Sequence, residues 1–205
     1  MKFLEKLLLG LISATIFTTV GLVRQYQSPD ELPVVVAQPV DRYNYNNAGE
    51  HDTWQPDQVV TVYVDHNATP ETKAGVNAAI NNWNQAGVVK LVPTDDVNQA
   101  DIRVINSQIN KLGSIVFGET QLAQNSQGRL THGVILINNR AIAEHHNIDG
   151  PKSIQDYTDM VCTHEMGHAL GLNHTTPGTN SVMQPGTDRN IQPYDIQRVQ
   201  MLYRH

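Results

Sequence analysis

The chain has 205 residues, of which 40% are hydrophobic and 17% are charged, proportions that are ordinary for a globular protein. Its formal net charge is −6 and no lysine or arginine cluster occurs beyond the first few residues, which argues against nucleic acid as a partner because a phosphate backbone requires a basic surface. A single cysteine excludes an intramolecular disulfide, so the fold must depend on its core.

The first predicted element is an apolar run near the N-terminus. Lys2 and Lys6 precede the run from Leu7 to Val23, which is the arrangement of an export signal. As a helix the run would span about 26 Å, slightly less than a bilayer core. Residues 1–23 are therefore predicted to be a signal peptide or an N-terminal membrane anchor, and the lack of a small-x-small cleavage site directly after them favours the anchor. Either interpretation predicts an extracellular protein, anchored at the cell surface or secreted.

Residues 24–56 are rich in Gln, Asn, Pro, Asp and Tyr, a composition that predicts a flexible linker. Regular patterning begins at Val59, where VVTVYVD alternates as a strand does. The folded domain is accordingly predicted to cover residues 57–205.

The elements of this domain follow from local signals. Thr69, Pro70 and Glu71 predict a helix start, and Gly87 ends that helix. Ser153 predicts the N-cap of a second long helix, and a last helix begins near Pro193. Further strands are predicted at Val88–Val92, Asp101–Asn106, Ser114–Gln124 and Gly133–Asn138. Strands early in the chain, with helices interleaved and then late, predict an α+β (mixed α/β) fold.

The second long helix carries the segment with most of the chemistry, HEMGHALGLNH at residues 164–174. His164 and His168 are four residues apart on the helix, so their imidazoles share a face and can reach one ion at about 2.0–2.1 Å. Gly171 ends the helix because glycine accepts the positive φ of a sharp turn, and His174 can then return as a third ligand. Three protein ligands leave a fourth position open for water, which is typical of a catalytic zinc site.

Glu165 follows His164 and is rotated from it by about 100° around the helix axis, beside the metal rather than on it. A carboxylate in that place can act as the general base that takes a proton from metal-activated water. The sequence thus predicts one catalytic Zn²⁺ held by three histidines, with Glu165 as the catalytic residue.

The pattern HExxHxxGxxH, followed by SVMQP at Ser181–Pro185, resembles the signature of the metzincin zinc proteases. Within that group the SVMQP turn and the closing PYDIQRVQMLY segment are most similar to the matrixins, over roughly residues 54–205. The resemblance implies a metzincin-type fold with a twisted, mostly parallel sheet, an antiparallel edge strand, two long helices and a C-terminal helix. It also implies that Met183 is a hydrophobic floor beneath the metal ligands.

The same resemblance implies a metalloendopeptidase that hydrolyses peptide bonds in extracellular proteins or peptides. The substrate would lie antiparallel to an edge strand, which corresponds to about Ser114–Gln124. A monomer is expected, with a membrane contact through residues 1–23 if they are not cleaved.

Some family features have no counterpart in this sequence. No cysteine-switch pro-segment or hemopexin domain is found, and Cys162 lies within the catalytic helix, where a buried thiol is expected. A Ca²⁺ ion is possible in the family, but Asn138 and Asn139 stand where carboxylates would be expected. No cluster for a second zinc is found, and the remaining histidines are interpreted as ordinary surface residues: His51, His66, His132, His145 and His146.

The sequence lacks the ligands of two other zinc protease classes. A thermolysin-like site needs a glutamate ligand downstream of the second histidine, and no glutamate follows Glu165. A tyrosine ligand directly after the turn methionine, as in astacin-like proteases, is also missing. Two alternatives from other classes stay open, namely a non-catalytic, zinc-stabilised binding module at the cell surface and a membrane-tethered sensor.

Overall fold

The computed structural model describes residues 52–109, 115–149, 152–186 and 190–204. The apolar run Leu7–Val23 and almost all of the predicted linker lie outside these ranges. Among the helices that are described, none has the length and apolar character needed to cross a membrane.

A single twisted sheet forms the centre of the described domain. Its strands are β1 (Val59–Val64), β2 (Lys90–Thr94), β3 (Ile102–Asn106), β4 (Gly118–Gln124) and β5 (Leu130–Ile137). They stand in the order β2-β1-β3-β5-β4, and every neighbouring pair is parallel except the antiparallel pair of β4 and β5. The mostly parallel sheet with an antiparallel edge strand is therefore confirmed.

The helices are α1 (Pro70–Asn84), α2 (Asn139–Asp149), α3 (Ile154–Ala169) and α4 (Pro193–Leu202), and a short 3-10 turn covers Val97–Gln99. Helices α1 and α3 are the two long helices that were predicted, and they pack closely together. A Cβ atom on Gly75 of α1 would be 3.0 Å from Sγ of Cys162 on α3. The Trp83 indole of α1 donates to the main-chain oxygen of Thr163 at 2.8 Å, which fixes the register of the two helices.

The helix starts agree with their sequence signals. The Thr69 hydroxyl accepts from the Thr72 amide at the start of α1. Ser153 and Asp156 form a reciprocal capping box at the start of α3, which satisfies amide groups that the first turn of a helix leaves unpaired. Both long helices can thus be placed from local chemistry alone.

The predicted edge strand was too long at its N-terminal end. Strand β4 begins at Gly118, and of the four residues before it Ser114 lies outside the described ranges. The main-chain oxygen of Val116 accepts from the side-chain amide of Asn138 at 2.9 Å. This segment is therefore held by a side chain instead of belonging to the strand.

Helix α2 was not predicted. The Asn138 side chain accepts from the Ala141 amide at 3.2 Å and so acts as a cap, and Arg140 pairs with Glu144 one helical turn on at 2.8 Å. Ala141 and Ile142 face the core. Asn138, which was noted only for lacking a carboxylate, is thus the residue that starts this helix.

The N-terminal boundary of the domain also lies earlier than predicted. Thr53 and Trp54 were assigned to the linker, but both are buried. The Trp54 indole donates to the main-chain oxygen of Ala169 at 2.8 Å, at the end of α3, and the Tyr203 hydroxyl lies 3.3 Å from the Trp54 amide. The packed domain therefore includes residues 53–56, because a buried tryptophan contributes far more to the core than a linker residue would.

Candidate active site

The site begins at the end of α3, where His164 and His168 point from one face of the helix. The helix ends at Ala169, and Gly171 has φ of 94°, a conformation that glycine adopts without strain. A Cβ atom on Gly171 would also collide with the main-chain oxygen of Asp52. Glycine is therefore required both for the turn and for the close passage of the N-terminal segment, and the turn brings His174 back towards the helix.

The three imidazoles converge as their spacing predicted. The Nε2 atoms of His164, His168 and His174 form a triangle in which every side is 3.1 Å. Within the described residues this is the only group of three metal-ligating side chains that could hold one ion.

Hydrogen bonds on the far side of two rings determine which nitrogen carries the proton. Nδ1 of His164 is 2.6 Å from the Val182 carbonyl and Nδ1 of His168 is 2.7 Å from the Leu172 carbonyl. A carbonyl oxygen can only accept, so both Nδ1 atoms are protonated in the neutral rings and both Nε2 atoms carry lone pairs. Two lone pairs that face each other at 3.1 Å repel unless a cation lies between them.

The dimensions of the triangle suit zinc. With bonds of about 2.0–2.1 Å, an ion shared by nitrogens at this spacing would have N–Zn–N angles of roughly 100°, close to the tetrahedral value. Burial lowers the pKa of His164 to about 4 and that of His168 to about 3, and burial also lowers the pKa of His174. The rings are therefore neutral at neutral pH, as metal ligands must be.

The turn around Met183 contacts the segment that carries the third histidine, since the Met183 main-chain oxygen accepts from the Thr175 amide at 3.0 Å. Met183 is fully buried, and a Cβ atom on Gly167 of α3 would collide with its sulfur and would be 2.8 Å from the Trp83 ring. The side chain thus packs directly on the backbone of α3 at Gly167, the residue before the second histidine. The main chain of the same turn supplies the Val182 carbonyl that orients His164.

Helix α4 holds this turn through one buried carboxylate. Asp195 is fully buried, and its side chain accepts from the Ser181 hydroxyl and, at 2.9 Å, from the Val182 amide. It also accepts from the Gln192 amide at 2.9 Å. The order of contacts therefore runs from α4 through Val182 to the His164 ring.

Glu165 is buried beside the histidines, at 5% exposure, against the edge strand β4. The Thr120 hydroxyl is 2.7 Å from Oε2 of Glu165 and 3.0 Å from its main-chain oxygen. A Cβ atom on Gly118 would be 2.6 Å from Cγ and 2.7 Å from Oε1 of the same glutamate. The carboxyl group therefore occupies space that only a glycine leaves open.

The remaining histidines divide into two groups. His66 and His132 are exposed, as predicted, and His51 lies outside the described residues. The prediction was wrong for His145 and His146 of α2, because both rings contact Tyr157 of α3, with centroid distances of 5.3 and 6.3 Å. These two rings pack α2 against α3.

The buried thiol predicted for Cys162 is confirmed. Cys162 is 2% exposed between α3 and α1, and burial raises the pKa of its thiol. A thiol that stays protonated in an apolar environment is a packing residue.

Several side chains around the site were missed by sequence reasoning. Asp195 had a local signal, because an acid at the third position of a helix is a common capping residue. Gly118 and Thr120 had no local signal. Thr120 precedes Glu165 by 45 residues, and the contact between Thr120 and Glu165 depends on how β4 packs against α3.

Comparison with known proteins gives both a family and similar folds. A family model described as Matrixin matches residues 53–204. The fold is similar to a structure of myroilysin, at 16% identity and a TM-score of 0.51, over 80% of this chain and 90% of that chain. A crystal structure of myroilysin gives 15% identity and a TM-score of 0.49, over 75% of this chain and 86% of that one. No curated protein sequence matches the chain.

Proposed function

Since the chain belongs to the matrixin family and is a metalloendopeptidase of the metzincin type, we propose that it cleaves extracellular proteins or peptides with Glu165 as the general base. The metal ligands in this proposal are His164, His168 and His174. The observation that carries it is the triangle of Nε2 atoms with 3.1 Å sides, with a buried carboxylate on the next residue of the same helix.

The chemistry divides between the metal and the protein. Zinc, when bound, supplies Lewis-acid activation of the attacking water and of the scissile carbonyl. Glu165 accepts the proton of the attacking water and then delivers it to the leaving amine, so no covalent intermediate with the protein is formed. Val182 and Leu172 hold the His164 and His168 rings in the orientation and tautomer that ligation requires.

The substrate is proposed to bind along strand β4. Within the described residues β4 pairs only with β5, so its second edge is open. An extended peptide can add to such an edge through main-chain hydrogen bonds, antiparallel to the strand, as the family resemblance implies. That geometry would carry the scissile bond past Glu165, which contacts Gly118 and Thr120 of the same strand.

The location of the protein is part of the same proposal. The basic start and apolar run at residues 1–23 support export, as a cleaved signal or as a membrane anchor, with residues 24–52 leading to the catalytic domain. An extracellular site would suit a protease whose substrates are extracellular proteins or peptides.

Glu165→Gln tests the proposed role of the base. The amide keeps the size of the side chain but cannot take up a proton, so we expect turnover of a peptide substrate to fall by about 10²–10⁴. Zinc content, measured by elemental analysis, should stay at the parent value because Glu165 is not a ligand. Glu144→Gln changes an exposed glutamate of α2 in the same way and should leave turnover unchanged.

Full turnover in Glu165→Gln would refute the assignment of the base. Loss of zinc in that variant would instead show that the carboxylate belongs to the metal site. A parent protein that binds zinc but cleaves no peptide would support the binding-module alternative.

A further inference from the structure

We infer that Thr120 of the edge strand is a positioning residue that holds the Glu165 carboxyl group both before and after proton transfer. The inference rests on the proposed function, because it assigns a role to Thr120 only through the base. It is carried by the two contacts of one hydroxyl, at 2.7 Å to Oε2 and at 3.0 Å to the main-chain oxygen of Glu165.

The strand places Thr120 and Gly118 on the same side of the sheet, since alternate residues of a strand share a face. Both residues contact Glu165, one through a hydroxyl and the other by leaving room for the carboxyl group. The glutamate is thus confined sterically at Oε1 and Cγ and is bonded at Oε2. A long side chain that would otherwise have several rotamers is held in one.

A hydroxyl suits this position because it can donate to a carboxyl oxygen in either protonation state of Glu165. It carries one proton and two lone pairs. While Glu165 is ionised, the Thr120 hydroxyl donates to Oε2 in a charge-assisted hydrogen bond. Once the carboxyl group has taken up the proton of the attacking water, that proton faces the leaving amine, so the Thr120 hydroxyl still donates to a lone pair of Oε2.

The proton count at Thr120 is unchanged by these transfers. The proton from water resides on Glu165 and leaves with the amine, while the Thr120 proton remains on its own oxygen. The same contacts therefore hold the carboxyl group in the two states between which a general base alternates.

The test compares Thr120→Val with Thr120→Ser in the full-length zinc-loaded protein. Valine has a similar shape and is favoured in strands, but it has no hydroxyl. We expect kcat to fall by about 10- to 100-fold, the size expected for a lost hydrogen bond to a charged group, with little change in KM or zinc content. Serine keeps the hydroxyl and should restore most of kcat.

Two comparisons separate this role from a structural one. Thr131→Val removes a hydroxyl of β5 that donates to the Ala123 carbonyl and should leave kcat unchanged. In the Glu165→Gln background, Thr120→Val should cause little further loss, because the two residues act as one unit. Should the valine variant be unstable, Thr120→Ala gives the same comparison with serine.

A Thr120→Val protein with the parental kcat would overturn the inference, and so would a serine variant as slow as the valine variant. It would also be overturned if Thr120→Val lowered kcat by the same factor in the Glu165→Gln background as in the parent. Parental turnover in Glu165→Gln alone would instead refute the proposed function. An inactive Glu165→Gln together with a fully active Thr120→Val refutes only the role of Thr120.

Discussion

Two glycines next to the site are in close contact with different kinds of side chain. Gly118 of β4 faces the Glu165 side chain, whereas Gly167 of α3 faces the Met183 sulfur and the Trp83 ring. An added methyl group would displace a carboxyl group at the first position and a packed core at the second. The first position therefore affects the orientation of the proposed base with little effect on the core.

Gly118→Ala should separate activity from stability. A Cβ atom there would be 2.6–2.8 Å from Cγ, Oε1 and Cδ of Glu165, so the glutamate must change its conformation. We expect kcat to fall by at least about tenfold, while the free energy of unfolding in urea changes by less than about 1 kcal/mol.

Gly167→Ala provides the comparison, because the Trp83 ring cannot move away as easily. It should destabilise the fold by about 1–3 kcal/mol, the usual effect of overpacking a core. A Gly118→Ala protein with normal kcat would show that Glu165 tolerates another conformation.

At the scale of elements, α4 is coupled to the metal ligands although it contributes none. Its Asp195 binds the turn whose Val182 carbonyl orients His164. Asp195→Asn replaces one carboxylate oxygen, an acceptor, with an NH₂ group, a donor. The Ser181 hydroxyl and the Val182 and Gln192 amides all donate to this side chain, so at least one of these groups loses its acceptor. We expect a loss of about 1–3 kcal/mol in the free energy of unfolding and a fall in zinc affinity of about tenfold.

Zinc affinity can be measured by competition with a chromophoric chelator. Asp96→Asn, an equal change at an exposed position before the 3-10 turn, should leave that affinity unchanged. Unaltered zinc affinity in Asp195→Asn would mean that the turn keeps its shape without α4.

The elements that could be predicted were those whose signals are local. Thr69 and Pro70 start α1, and Ser153 starts α3, through chemistry within a few residues. Strand ends were less predictable because pairing partners define them. Strand β2 begins at Lys90, which pairs with Val59, whereas the predicted strand began two residues earlier, at Val88. Helix α2 was missed because its cap, Asn138, was assigned to the end of the predicted strand Gly133–Asn138, and an asparagine there was not interpreted as a helix start.

The same distinction between local and distant contacts applies to the site. The convergence of three imidazoles could be predicted because a helix and a glycine turn bring them together within residues 164–174. The environment of Glu165 could not, because Gly118 and Thr120 reach it only when β4 packs on α3. Trp54 is a further example, since its partner Ala169 is 115 residues away.

For the whole molecule, the metal should stabilise a domain that already has its own core. The core is one continuous cluster that includes residues from the sheet, α1, α3 and α4. Chelation should therefore lower Tm without unfolding the protein at room temperature. With free zinc at about 100 times its Kd, the loss is about 2.7 kcal/mol, or on the order of 5–10 °C for a domain of this size.

Scanning calorimetry with and without chelator measures this shift. In His174→Ala, where two imidazoles remain, the chelator should have little effect. Equal Tm values for the parent with and without chelator would mean that zinc binds the folded chain too weakly to serve as a resident ion.

Cys162 lies between α1 and α3, on the helix that bears two of the three imidazoles, and it is the single thiol of the chain. A maleimide reagent can reach that sulfur only when the two helices separate. The labelling rate of the unmodified protein consequently measures how often α3 separates from α1, without any introduced probe.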